Sequence, residues 1–257
     1  MTERESTGPA PGLYLTDLNA TFREQASLFK GLDLTLEAGQ WTCLLGPSGV
    51  GKSTLLRLIA GLPSNALITG TVTADDRKPV TGRIAYMGQQ DLLLPWATVL
   101  ENVVIGPRLR GKHPGPDDFS RARQLLEKLG LTDRHDVLPN DYSGGMRQRV
   151  ALARTLFEDQ PIILMDEPFS KLDALTRRRL QELSVEALKG KTVLLVTHDP
   201  VEALRVADRI IVMTGQPATF SEPEMPVSSR PRMETDTGFW DAHGHILTQL
   251  GSIGEAA

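Results

Sequence analysis

One stretch restricts the possible folds of this chain more than any other. Residues 46–53 (Gly46, Pro47, Ser48, Gly49, Val50, Gly51, Lys52 and Ser53) follow the spacing G-x-x-x-x-G-K-[ST]. The apolar run 41–45 before it reads as a buried strand, and a helical pattern begins at Thr54. A strand that turns through three glycines into a helix points consecutive backbone N–H groups at one anion. The helix adds the positive end of its dipole. Lys52 brings a mobile positive charge to the outer phosphates of a nucleotide, and the Ser53 hydroxyl can ligate Mg2+.

Other chemistry lies at strand ends. The apolar run 161–166 ends in Asp166 and Glu167. In a parallel sheet, ligands gather at the carboxyl ends of strands. Asp166 there can hold the Mg2+ that Ser53 also touches, and Glu167 can polarise a water against the terminal phosphate. A second buried run, 192–198, ends at His198, a candidate sensor of that phosphate. Asp199 then caps a helix with Pro200 in its first turn. Ser143, Gly144 and Gly145 open another helix, either as a second anion site or as an ordinary serine cap. Phe22 reads equally as core or as a platform for a base.

The 257 residues include 40% hydrophobic and 23% charged positions, ordinary for a chain that buries a core. A net charge of −4 gives no basic excess, so no nucleic-acid partner is expected. Cys43, the single cysteine, forms no internal disulfide, reads as a buried structural thiol and fits a reducing compartment. Residues 1–12 read as a flexible polar start without the apolar core of a signal peptide. The apolar runs are strand-sized, so any action at a membrane goes through a partner.

Along the chain, segments 13–22 and 32–36 suggest a small antiparallel sheet, with further strands at 70–74 and 82–87. Helices are expected at 98–104 and 117–129, joined by a turn-rich connection over 106–116. Pro95 interrupts 89–96, where Leu92, Leu93, Leu94 and Trp96 form either interior packing or a contact surface. Arg177, Arg178 and Arg179 read as a solvated face. The proline-bearing stretch 216–232 reads as a linker, and 239–250 as a closing helix. His243 and His245 look like a metal pair without a third ligand. Strands alternating with helices after the glycine loop imply an α/β fold with a mostly parallel sheet.

The glycine loop, Gln89, Ser143-Gly144-Gly145, Asp166-Glu167, Ser170-Lys171-Leu172-Asp173 and His198 occur in one line. In that order they resemble the ATP-binding subunits of ATP-binding cassette (ABC) transporters over 13–213. The resemblance implies a P-loop NTPase core, an N-terminal antiparallel β subdomain, and an inserted α-helical subdomain at about 90–155. A short tail, 214–257, would follow. It implies ATP with Mg2+ and a head-to-tail homodimer. In that dimer, residues 46–54 of one protomer and Ser143-Gly144-Gly145 of the other would sandwich each nucleotide. By the same resemblance Phe22 stacks on adenine, Gln89 contacts the metal and the attacking water, and Asp173 communicates across the dimer. The helical part would dock on transmembrane permease subunits at the cytoplasmic face of the membrane, and indirectly serve an extracytoplasmic substrate-binding protein.

Tyr142 stands where the family usually has leucine, Met146 where it often has glutamine, Lys171 where alanine is usual, and Gly88 where phenylalanine is common. Leu93-Leu94-Pro95-Trp96 and the short tail look similar to importers of nitrate, sulfonates, taurine and thiamine-precursor pyrimidines, and Met87-Gly88-Gln89-Gln90-Asp91 leans toward the pyrimidine branch. Two other classes stay open: a non-transport cassette ATPase, although no sustained heptads separate Gly46 from Ser143, and a small-metabolite kinase, which would need no Ser143-Gly144-Gly145. An exporter subunit would look alike.

Overall fold

Leucines at alternating positions start the fold. β1 (Leu13–Phe22) and β2 (Ser27–Leu36) pair antiparallel with Leu13 opposite Leu36 and Leu15 opposite Leu34, so their leucines share one face. The computed structural model describes residues 10–22 and 27–251. β3 (Trp41–Leu45) is buried throughout and leads through the glycine loop into α1 (Lys52–Ile59). β4 (Ala66–Ala74) flanks β1, giving an antiparallel sheet of order β2-β1-β4.

The chain then enters a second sheet with β5 (Ile84–Met87) and leaves it for four helices: α2 (Val99–Val103), α3 (Ile105–Leu109), α4 (Pro116–Lys128) and α5 (Gly144–Phe157). It continues as β6 (Ile162–Asp166), α6 (Ala174–Ala187), β7 (Thr192–Thr197), α7 (Pro200–Val206), β8 (Arg209–Thr214), β9 (Thr219–Phe220) and α8 (Phe239–Gly251). The second sheet has the order β5-β6-β7-β3-β8-β9 and is parallel from β5 to β8, with β9 antiparallel at its edge.

This sheet is covered on both faces, so its central strands are apolar at nearly every position rather than alternating. Their side chains divide between two cores. Cys43, Ile163, Met165, Val193 and Leu195 pack with α2, α4 and α5. Leu44, Ile162, Leu164, Leu194 and Val196 pack with α1 and the leucine face of the antiparallel sheet. Cys43 is the buried thiol expected, and burial pushes its pKa well up.

Three segments depart from the sequence reading. The first half of 106–116 is helical as α3, because Pro107 in a first turn sacrifices no hydrogen bond. Gly106 there lies so close to the Glu158 side chain that a Cβ would overlap it. Of the expected flexible start, residues 1–9 lie outside the described residues, but 10–12 are held. The Thr192 hydroxyl donates to the Pro11 carbonyl at 2.8 Å, and the Gly12 N–H donates to Asp75 at 3.0 Å.

The linker-like stretch is packed. Proline leaves only the two-residue β9 as a regular element there, but arginine fastens the segment. Buried Arg232 donates to the carbonyls of Leu204 at 2.9 Å, Ala207 at 2.6 Å and Pro226 at 3.3 Å. Arg205 in α7 returns a bond to the Arg232 carbonyl at 2.9 Å. The tail ends in α8, whose Phe239 and Ile246 enter the core against α7. Replacing Arg232 by Leu orphans those carbonyls, so Arg232→Leu should lower stability by about 2–4 kcal/mol in urea unfolding.

Candidate nucleotide site

The site is built on the carboxyl ends of three neighbouring strands, β3, β7 and β6. Their register sets Leu45 beside Thr197, and Val196 beside Asp166. The loop after β3 requires glycine at two tight points. A Cβ on Gly46 would collide with the Met213 carbonyl, and one on Gly51, at φ +111, would stand 2.9 Å from the Phe29 ring. Gly51 caps α1 without a side-chain bond, which leaves the first N–H groups of the helix to serve an anion. Lys52 is buried, and its Nζ donates to the carbonyls of Gly46 at 2.7 Å and Pro47 at 2.8 Å. Burial lowers its pKa, opposed by Glu167 and Asp166.

Asp166 is buried at the end of β6. Burial raises its carboxyl pKa, and the hydrogen bond from the Ser53 hydroxyl pulls it down. Glu167 follows at φ +49, a left-handed conformation that costs a non-glycine residue roughly 1–2 kcal/mol. Its N–H is tied to the Val196 carbonyl at 2.9 Å. One carboxylate oxygen lies 3.0 Å from His198 Nδ1, and the other accepts from Gln89 Nε2 at 3.3 Å. The three residues read from sequence as catalytic candidates therefore meet. His198 is exposed beyond Glu167, which is itself mostly covered.

Ser143 is the N-cap of α5 and accepts from the Met146 N–H at 3.3 Å. Asp173 likewise caps α6, accepting from the Thr176 N–H at 3.0 Å. Within one chain neither side chain bonds the Glu167 group. Phe22, half-buried, closes β1 opposite Ala66 and packs on the core beneath it. Tyr142, in place of the usual leucine, is buried, and its hydroxyl donates to the carbonyls of Asp133 at 3.1 Å and Arg134 at 3.2 Å. At Gly88 the Tyr86 ring takes up the space, 3.3 Å from where a Cβ would stand.

Two features were invisible in the motifs. Buried Gln148 donates to the Glu167 carbonyl at 3.0 Å and accepts from the Lys171 N–H at 3.0 Å, so one carboxamide joins α5 to the segment after β6. Arg154, also in α5, donates to the carbonyls of Asp91 at 2.6 Å and Leu92 at 2.9 Å. Arg147 adds a 3.0 Å ion pair to Asp91. The signal for Gln148 was only a polar residue on the apolar side of a helix.

The segment after Gln89 mixes both sequence readings. Leu93 packs on the core, whereas Leu92 is 59% and Trp96 75% exposed. Beneath them, fully buried Asn102 accepts from the Leu94 N–H at 2.7 Å and donates to the carbonyls of Leu94, Ala97 and Thr98. His243 and His245 both lie in α8. His243 packs edge-on against Trp240 at 5.3 Å, and no cluster of three or more His, Cys, Asp or Glu suited to a metal occurs among the described residues. Among them, no helix is long and apolar enough to cross a membrane.

The Ser53 hydroxyl and the buried Asp166 carboxylate, whose pKa that hydroxyl lowers, are an all-oxygen donor set that fits a hard divalent cation. A family model described as ABC transporter matches residues 29–170. The chain is 42% identical over 241 residues to an uncharacterized ABC transporter ATP-binding protein of Haemophilus influenzae, covering 92% of this chain and 98% of that one. It is 42% identical over 248 residues to the aliphatic sulfonates import ATP-binding protein SsuB of Rhodopseudomonas palustris, covering 94% and 85%. Its structure is similar to the dimeric ATP-binding cassette MJ0796 in a post-hydrolysis state bound to ADP and Pi, with TM-score 0.74 and 31% identity over 84% of this chain and 100% of that chain.

Gln148→Leu keeps the volume but leaves the Glu167 carbonyl and Lys171 N–H unpaired. It should lower ATP turnover by about tenfold, because a small displacement of the strained Glu167 is enough to misplace its carboxylate. Steady-state phosphate release checks this.

Proposed function

Since the chain belongs to the ABC transporter family as an ATP-binding ATPase subunit, we propose that it is the energy-coupling subunit of an importer for a small nutrient. The observation that carries the reading is the Glu167 carboxylate, held between His198 and Gln89 beside the Ser53–Asp166 pair.

Residues 46–54 bind the phosphates, with Lys52 exchanging its carbonyl partners for phosphate oxygens, and Phe22 stacks on the base. Glu167 accepts the proton of the attacking water as the bond between the terminal phosphorus and its bridging oxygen breaks. His198 and Gln89 orient that carboxylate and sense the terminal phosphate. Ser53, Asp166 and Gln89 are the residues that would hold Mg2+, which supplies neutralising charge to the phosphates when bound.

The dimeric cassettes with which this chain shares its fold support a homodimer. Its second protomer contributes Ser143, Gly144 and Gly145 to each nucleotide, while Asp173 touches the partner. Exposed Leu92 and Trp96 serve as the dock for transmembrane permease subunits, at the cytoplasmic face of the membrane, and couple indirectly to an extracytoplasmic binding protein. The likeness to sulfonate-import subunits favours the sulfonate end of the cargo group over the pyrimidine precursors to which 87–91 leans.

Glu167→Gln should retain ATP binding, cut hydrolysis by about a hundredfold or more, and hold the protein as a dimer in ATP. Light scattering that shows only monomer at saturating ATP would count against the sandwich. Trp96→Asp should leave the melting temperature and ATP binding near wild type, since the ring is exposed, and abolish co-purification with the permease. A large drop in melting temperature would instead place Trp96 in the fold's support.

A further inference from the structure

Behind His198 sits a carboxyl group that the reaction described above does not use. Glu202, in the first turn of α7, is 4% exposed. Its Oε2 accepts from the Thr197 hydroxyl at 3.2 Å, while its Oε1 has no hydrogen-bond partner among the described residues. The same Thr197 oxygen accepts from the Asp199 N–H at 3.1 Å. Thr197 and Asp199 bracket His198, so this chain of bonds grips the backbone on either side of the residue that holds Glu167. Asp199 also caps α7 through the N–H groups of Val201 and Glu202.

We propose that Glu202 is a positioning residue: through Thr197 it locks the 197–199 turn, so that the His198 imidazole stays on the Glu167 carboxylate. The inference rests on His198 and Glu167 serving hydrolysis as proposed above.

The charges around Glu202 come from every neighbouring element. Asp199 precedes α7, Glu167 follows β6, the Cys43 thiol lies in β3, and Arg177 reaches across from α6. Arg177 is not the solvated residue expected from sequence. It donates to the Leu172 carbonyl at 3.2 Å and to Asp199 at 3.4 Å, where it offsets the acidic side of the cluster. Burial first, then Asp199, pushes the Glu202 carboxyl up to about 8, and the Thr197 bond and Arg177 pull the other way. At pH 7 the group is therefore mostly protonated, and the orphan oxygen can carry the proton. Above pH 8 a third carboxylate charge arises behind a turn that already faces two, and the turn must shift to relieve it.

The test is the pH profile of ATP turnover from pH 6.5 to 9.5 for wild type, E202Q and E202A, with H198A as a control. Wild type should lose kcat above pH about 8 while KM for ATP stays within about twofold. E202A should lower kcat about tenfold at pH 7. E202Q, neutral at every pH and of the same size, should recover most of that loss and lack the alkaline limb. An identical alkaline limb in E202Q and wild type would overturn the proposal, as would a wild type that is flat to pH 9.5. If E202A does not fold, the comparison of E202Q with wild type decides alone. Loss of turnover in H198A with an unchanged E202Q profile would defeat this inference only. Normal turnover in H198A would defeat the catalytic reading and this one with it.

Discussion

The candidate nucleotide site depends on the register of three parallel strands. β3, β7 and β6 are hydrogen-bonded so that Leu45 pairs with Thr197 and Val196 with Asp166. Each strand then releases its chain at the same edge: the glycine loop from the first, His198 from the second and Glu167 from the third. Because side chains alternate faces, a one-residue slip would send Leu194 and Val196 into the helical core and Val193 and Leu195 into the other. Both cores are well filled, so the packing of some ten aliphatic side chains fixes the distances between the polar ones.

A second layer of bonds links that edge to the outside. Gln148 ties the Glu167 carbonyl to α5, Arg154 and Arg147 tie α5 to Asp91 and Leu92, and Asn102 pins the backbone beneath Trp96. The path from the Glu167 backbone to the exposed tryptophan therefore runs through partnered polar groups, buried at Gln148 and Asn102 and half-buried at Arg147, Arg154 and Asp91. Such groups have few alternative arrangements, since leaving any one unpaired in the interior costs about 1–3 kcal/mol. A connection of that stiffness would transmit a displacement rather than absorb it.

Much of this was legible in residues alone. Loop, acid pair and histidine were found because each follows a short apolar run at a strand end, and the run and the chemistry lie side by side in sequence. Ser143 and Asp199 were legible as cap residues, which is what their local bonds are, whereas the cap that Asp173 makes on α6 was not read from sequence. What escaped has one cause: the partners lie far apart along the chain. Gln148 meets Glu167 and Lys171 only after folding, and Arg177 meets Asp199 the same way. The left-handed turn at Glu167 had no glycine to announce it. Prolines in 216–232 misled in the opposite direction. They leave only the two-residue β9 as a regular element, yet the open carbonyls at the end of α7 and at Pro226 are free to receive an arginine, and Arg232 finds three of them.

That arginine also redraws where the folding unit stops. α7 carries the turn after His198, and its far end is closed by Arg232, with Phe239 and Ile246 sealing the same flank. A fragment trimmed at the last strand of the parallel sheet would retain every residue of the candidate site and still expose the back of α7. Recombinant pieces meant to stand alone should therefore run through the end of α8, and fusions belong beyond it.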